Sequence, residues 1–244
     1  MNKETTILQI NTSQNPYLLQ LTDKIFYAKK IILKEFFTFY NFYNVKNSDS
    51  TNTFTFEENG VGTYSITIPE GYYDVSSLIS TMASLMTSSG TQTYNATQDP
   101  RTYKVSFATS GTTTWKFGVE NIISRLGFGS TSFALTQTST KIPIISSQFL
   151  TIRMFEINSD DKIYQNANQN AVMVNNLIYR IPIVYSNFGS LIYFQDINDS
   201  FYYTFKNGQI KNIKFQIYDM WDNLIDNNGC DFSFNIKIKA RRKK

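Results

Sequence analysis

A chain of 244 residues with 41% hydrophobic content can bury one sizeable core, which excludes disorder as its main state. The absence of His and the single thiol, Cys230, exclude every His-dependent triad, a His-containing zinc site, an intrachain disulfide and a CxxC motif. The formal net charge is only +4, and six positive charges stand in the last eight residues, Lys237 to Lys244, so the remainder carries a formal −2.

Composition sets the fold class. Aromatic residues make up 16% of the chain and charged residues 17%, against a usual charged share of about 25%. With 26 Thr, 24 Asn and 23 Ser, small uncharged polar residues are the commonest surface material, and they suit strand faces and turns. An all-β protein follows.

Residues 1–20 are polar, contain Pro16 and lack a clean period, so they read as an extended arm. From Lys24 to Val45, Ile, Phe and Tyr are dense enough for one long strand or two joined by a bulge. Thr53–Glu57 alternates with period two, Glu58-Asn59-Gly60 turns, and Thr63–Ile68 returns, which predicts a hairpin. After Pro69-Glu70-Gly71 the period changes: Val75, Leu78, Ile79, Met82, Leu85 and Met86 recur at three- and four-residue steps behind Asp74, predicting a capped helix over 75–87.

Thr102–Phe107 and Thr113–Phe117 are expected as a hairpin around Thr109-Ser110-Gly111, followed by a helical turn at Val119–Arg125. Gly129–Thr140 is expected as a loop, Gln148–Ile157 as a strand, Asp160–Asn170 as a surface loop and Ala171–Tyr185 as a strand interrupted at Pro182. Ser190–Phe194, Ile210–Tyr218 and Asp231–Lys239 complete the strands, the last two joined by a turn over Asp219–Gly229. Eight to ten antiparallel strands and one helix without a linker predict a single jelly-roll β-sandwich over 21–239, with an arm at 1–20 and a basic tail at 240–244. No stretch reaches about 18 apolar residues, so no membrane span is expected, and the N-terminus has no export-signal pattern.

No motif carries catalysis, a cofactor or a metal. Gly60-Val61-Gly62 and Gly127-Phe128-Gly129 lack the strand, helix and Lys-Ser/Thr of a phosphate loop and read as turns. Glu57-Glu58 and Asp160-Asp161 are adjacent acids, which project apart rather than flank one bond. The Asp-rich run 219–231 lacks EF-hand spacing and reads as an Asx turn, with Cys230 a half-buried strand residue beside it. For Arg241, Arg242, Lys243 and Lys244 three readings stay open: nucleic-acid phosphates, an acidic protein neighbour, or a solubilising end. Tyr72, Tyr73, Trp115 and Trp221 are the aromatics that a sugar-binding reading would use.

One run is more specific. Ile66-Thr67-Ile68-Pro69-Glu70-Gly71-Tyr72 leads into the helix around Leu78, then comes Trp115-Lys116-Phe117, then Ile123-Ser124-Arg125-Leu126-Gly127-Phe128. A strand ending in Pro-x-Gly-x-Tyr, an amphipathic helix, a hairpin and a Leu-Gly-Phe closure resembles the penton, or minor capsid, proteins of the double-jelly-roll virus lineage, which spans virophages, polinton-like viruses and large nucleocytoplasmic DNA viruses. Pro69, Gly71, Tyr72, Leu78, Leu126, Gly127 and Phe128 carry the resemblance, over roughly residues 60–130 and 210–240; residues 131–209 match nothing. It implies a structural virion protein without enzymatic activity, assembled in an infected host cell. Such a protein is a homopentamer at the fivefold vertices of an icosahedral capsid, in contact with major capsid protein and other minor capsid proteins, with genome contact through the basic tail a further option. A cement or minor capsid protein away from the vertex, and a jelly-roll carbohydrate- or receptor-binding module such as a spike head or lectin-like domain, are the alternatives.

Overall fold

The computed structural model describes residues 3–26, 28–157, 177–184, 187–200, 202–204 and 209–241. Among them lie fifteen strands and two α-helices. In chain order these are β1 (Lys3–Thr12), β2 (Tyr17–Phe26), β3 (Ala28–Phe39), β4 (Thr53–Glu58), β5 (Gly62–Thr67), α1 (Val75–Ser89), β6 (Tyr94–Gln98), β7 (Val105–Thr109), β8 (Trp115–Phe117), α2 (Asn121–Arg125), β9 (Thr136–Thr138), β10 (Phe149–Ile157), β11 (Leu177–Pro182), β12 (Leu191–Gln195), β13 (Tyr202–Thr204), β14 (Gln209–Tyr218) and β15 (Phe232–Arg241). They form two compact units: residues 1–42 with 147–244, and residues 43–146.

The first unit holds two antiparallel sheets, ordered β1-β15-β3-β12 and β11-β10-β14-β2, with β13 also paired to β3. Set β13 aside and eight strands remain; in their own succession the sheets read first, eighth, third, sixth, and fifth, fourth, seventh, second. Successive strands cross from sheet to sheet at every step but one, which is the wrap of a jelly roll. The facing sides are apolar at every second residue: Leu150, Ile152 and Met154 on β10, Ile213, Phe215 and Ile217 on β14, and Phe234, Ile236 and Ile238 on β15 are all buried. Phe215 and Phe234 stack across the two sheets with centroids 5.5 Å apart. The all-β jelly-roll expectation is met, by these eight strands.

A bulge shapes β3. Its register against β15 jumps between Asn235 and Ile236, where Glu35 and then Leu33 are the partners, so Lys34 is the extra residue. Inward positions therefore change from Ile31 and Leu33 to Phe36 and Thr38, and the apolar alternation of the sequence breaks at the same place. The stretch Lys24–Val45, expected as one long strand or two joined by a bulge, instead holds the end of β2 and all of β3 in opposite sheets, with the bulge inside β3.

The second unit is inserted between β3 and β10. It contains two three-stranded sheets, β5-β4-β8 and β6-β7-β9, with both helices. Leu78, Ile79, Met82, Ala83 and Met86 of α1 are buried in one core with Phe54, Phe56, Trp115 and Phe117. Asp74 caps α1 as its sequence predicts, its carboxylate accepting the Ser77 N–H at 2.6 Å.

Several expectations change. Residues 1–20 do not stand outside the fold: β1 pairs with β15 over its whole length, and the Asn15 amide, in the turn before β2, donates to the Ile217 and Ile225 carbonyls at 2.8 and 2.7 Å. The strand was hidden because Thr5, Gln9 and Asn11 face outward, and Ile7, 70% exposed, points with them. β7 and β8 are not a hairpin; β7 pairs with β6 and β9, and β8 with β4. β6 and β9 were missed because Tyr94-Asn95-Ala96-Thr97-Gln98 and Thr136-Gln137-Thr138 carry almost no apolar pattern. β14 and β15 follow one another but belong to opposite sheets. Ala240 and Arg241, assigned to the tail, end β15. Residues 171–176 of the expected strand 171–185, the acids Asp160 and Asp161, the loop 160–170 and the tail residues Arg242, Lys243 and Lys244 lie outside the described residues.

Candidate functional site

Of the residues that carry the family resemblance, Leu78, Leu126 and Phe128 lie in the core of the second unit, Gly127 is buried beside them, Gly71 and Tyr72 are half-buried and Pro69 is exposed. Gly71 exchanges both backbone hydrogen bonds with Val45, at 3.0 and 3.1 Å, and the Tyr73 hydroxyl donates to the Pro69 carbonyl at 2.9 Å. The Asn44 amide clamps Tyr73, accepting its N–H at 2.9 Å and donating to its carbonyl at 2.7 Å, so this turn has a fixed shape. Tyr72 is half-buried, and burial pushes its phenol pKa up. Leu78 and Leu126 are fully buried, and the Phe128 ring packs on Phe107 and Phe117. Gly127 has φ +86°, and a Cβ there would stand 2.2 Å from the Lys141 carbonyl oxygen. That backbone approach lets the Gly127 carbonyl accept the N–H groups of Thr140 and Lys141. The motif is thus a folding device, and its side chains converge on no open site.

The adjacent acids of β4 part as their period-two spacing requires. Glu57 meets Lys116 at 2.9 Å, whereas Glu58 is 0% exposed. The Glu58 carboxylate accepts from the Thr91 N–H (2.9 Å), the Thr91 hydroxyl (2.6 Å), the Tyr94 hydroxyl (2.9 Å) and, more weakly, the Tyr64 hydroxyl (3.4 Å). Burial alone would raise its pKa, but these donors outweigh it and hold the carboxyl below its ordinary value. Gly90 leaves the space, since a Cβ there would come within 2.6 Å of Glu58 Oε1. No Lys or Arg pairs with Glu58 among the described residues.

The outward face of the β1-β15-β3-β12 sheet has two contrasting halves. At one end Phe37 stands opposite Tyr193 and Phe39 opposite Leu191, with exposures of 40%, 54%, 48% and 54%. Four large apolar side chains side by side in solvent mark a contact surface rather than scattered exposure. At the other end the ammonium groups of Lys34, Lys237 and Lys239 surround Asp199 at 2.9, 2.9 and 2.8 Å. The three lysines, Lys239 foremost, hold the Asp199 carboxyl far below the usual range. Lys30 lies 3.5 Å over the centroid of the exposed Tyr202 ring. Between the halves, Glu35 accepts hydrogen bonds from the Gln195 and Asn235 amides.

The remaining candidates resolve locally. Asp219 spends its carboxylate on the N–H groups of Trp221 and Asn223, at 2.8 and 2.9 Å, an Asx-type turn. Cys230 lies in that turn rather than in a strand, with the Asn41 amide donating to its sulfur at 2.6 Å. Trp115 is fully buried, its indole N–H donating to the Leu135 carbonyl at 3.2 Å, while Trp221 is half-buried. Arg241 ends β15 opposite Lys3. The lysine cluster was missed in sequence because its members lie some two hundred residues apart; the alternating Lys237 and Lys239 were the one signal that could have led to it.

These features define a single jelly roll carrying a helix-containing insertion between its third and fourth strands. Over 99% of its length the chain matches a crystal structure of the mavirus penton protein, covering 100% of that chain with a TM-score of 0.55 at 10% sequence identity. The penton-like fold expected from Pro69–Phe128 is therefore present, and among the described residues it includes β10, β11 and β12, which come from the stretch 131–209 where sequence showed no likeness. Neither a family model nor a curated protein sequence matches the chain.

Proposed function

We propose that this protein is a capsid subunit of the penton type, acting through assembly rather than catalysis. The observation that carries this reading is the eight-strand jelly-roll order with its insertion, in a chain that matches the mavirus penton protein in structure over 99% of its own length and 100% of that chain. The finer reading is a homopentamer closing the fivefold vertices of an icosahedral virion, assembled in the infected cell and surrounded by major capsid protein and other minor capsid proteins. A ring needs a heterologous contact between copies, and the aromatic half of the outer sheet face offers apolar surface of the kind such contacts bury.

Light scattering on the full chain tests the reading. The expected mass is about five times 28.1 kDa, either for the chain alone or after mixing with major capsid protein. A Phe37→Ser/Tyr193→Ser variant that melts normally is expected to lose the oligomer. A protein that stays monomeric under both conditions sinks the vertex assignment and returns the weight to a receptor- or glycan-binding module or a cement protein.

A further inference from the structure

The basic half of the outer sheet face has more positive charge than the fold uses. Register places Lys239 directly opposite Lys30, a like-charge pair that costs stability in a sheet, and Lys237 opposite Ile32. The bulge turns Lys34 toward the same side, where it joins Lys237 and Lys239 on Asp199. Lys34 also donates to the Asp196 carbonyl, anchoring the loop that presents Asp199. Three ammonium groups thus share one carboxylate, and Lys30 over the Tyr202 ring adds a fourth cation to the same face. An ammonium has three donors, so Lys237 and Lys239 keep donors beyond the one each spends on Asp199, while Lys34 is also engaged by the Asp196 and Ile197 carbonyls and contributes its charge.

We infer that this strip, formed by Lys30, Lys34, Lys237 and Lys239 with Tyr202 beside them, binds the backbone of single-stranded nucleic acid. Three observations favour that class of partner. Lys237 and Lys239 stand two residues apart on one strand and bring both ammonium groups to Asp199 Oδ2, so the cations are gathered on one face where the phosphates of a backbone can meet them. Opposite Lys239 on β1 stands the exposed, uncharged Thr5, whose hydroxyl can hydrogen-bond a phosphate oxygen without repelling it, while Lys237 faces Ile7 and adds no carboxylate to the strip. Tyr202 is 46% exposed and gives an unpaired base a ring to stack on, already flanked by the Lys30 cation.

The test is fluorescence anisotropy of a labelled single-stranded DNA oligonucleotide titrated with the full-length protein across a salt series. With four lysines engaged, log K is expected to fall against log salt with a slope of about −3. Lys237→Gln/Lys239→Gln should flatten that slope by roughly half, and Tyr202→Ala should weaken binding roughly tenfold while leaving the slope unchanged. Circular dichroism and melting of each variant confirm folding. A slope that survives the double substitution, a loss produced only by deleting residues 242–244, or equal affinity for poly-glutamate of matching charge overturns the inference. The outcome is independent of the oligomer mass, so the strip can fail while the assembly reading stands, and the reverse.

Discussion

Glu58 and Asp199 are both carboxylates held below their ordinary pKa range, and the two regions achieve this by opposite means. Glu58 is buried, and among the described residues no cation pairs with it; its partners are hydroxyls and a backbone N–H supplied by β5, the segment after α1 and the start of β6. Around Asp199 there is solvent on one side and three ammonium groups on the other, and its side chain is 21% exposed. Neutral donors in a dry core rigidify a unit but offer nothing to a partner; excess cations at a wet surface contribute little to stability but remain available. The second unit therefore spends its polar chemistry on its own fold, and the first keeps some of it for contacts.

Removing the dry network should have the largest effect. Glu58→Ala strands the buried Tyr94 hydroxyl and removes the acceptor of both Thr91 donors at the edge of the core, and a loss of roughly 3–5 kcal/mol in urea unfolding is expected. A loss below about 1 kcal/mol would show that water reaches the site and would erase the contrast with Asp199. Gly127→Ala is expected to cost roughly 2–4 kcal/mol, because the backbone has φ +86° and the new Cβ meets the Lys141 carbonyl.

Acid should separate the two carboxylates next. Each has a depressed folded pKa, so each contributes stability that is fully present above its unfolded value and is lost as pH falls through the folded one. Salt at about 1 M shortens the Debye length to about 3 Å and should screen the Asp199 share while sparing that of Glu58. Urea midpoints recorded against pH at low and high salt, for the unaltered protein and Glu58→Gln, measure both shares. The smallest effect is expected from Asp199→Asn, at under about 1 kcal/mol and absent in high salt. If it unfolds the protein, the lysine cluster is a structural clamp.

Legibility in the sequence followed locality. The Thr53–Glu58 alternation, the Gly60 turn, the Asp74 cap and the apolar steps from Leu78 to Met86 each concern residues within one or two turns of one another, and each appears as expected. Even the parting of Glu57 and Glu58 needed only the strand period. β1 and β9 were illegible because their outward positions are polar or mixed and their identity as strands comes from the partner that fills their hydrogen bonds. The false hairpin of β7 with β8 has the same cause: two apolar strands near in sequence say nothing about which edges they join.

The candidate surfaces show the same division more sharply. Composition alone excludes His- and disulfide-based chemistry, and the motif from Pro69 to Phe128 foretells the penton-like fold. Only the folded sheet decides that Phe37 meets Tyr193 and that Lys34, Lys237 and Lys239 share one aspartate, since pairing between strands some two hundred residues apart is chosen by the burial of both inner faces together. The outward side chains had no part in that choice, so their clustering was readable only after the choice had been made.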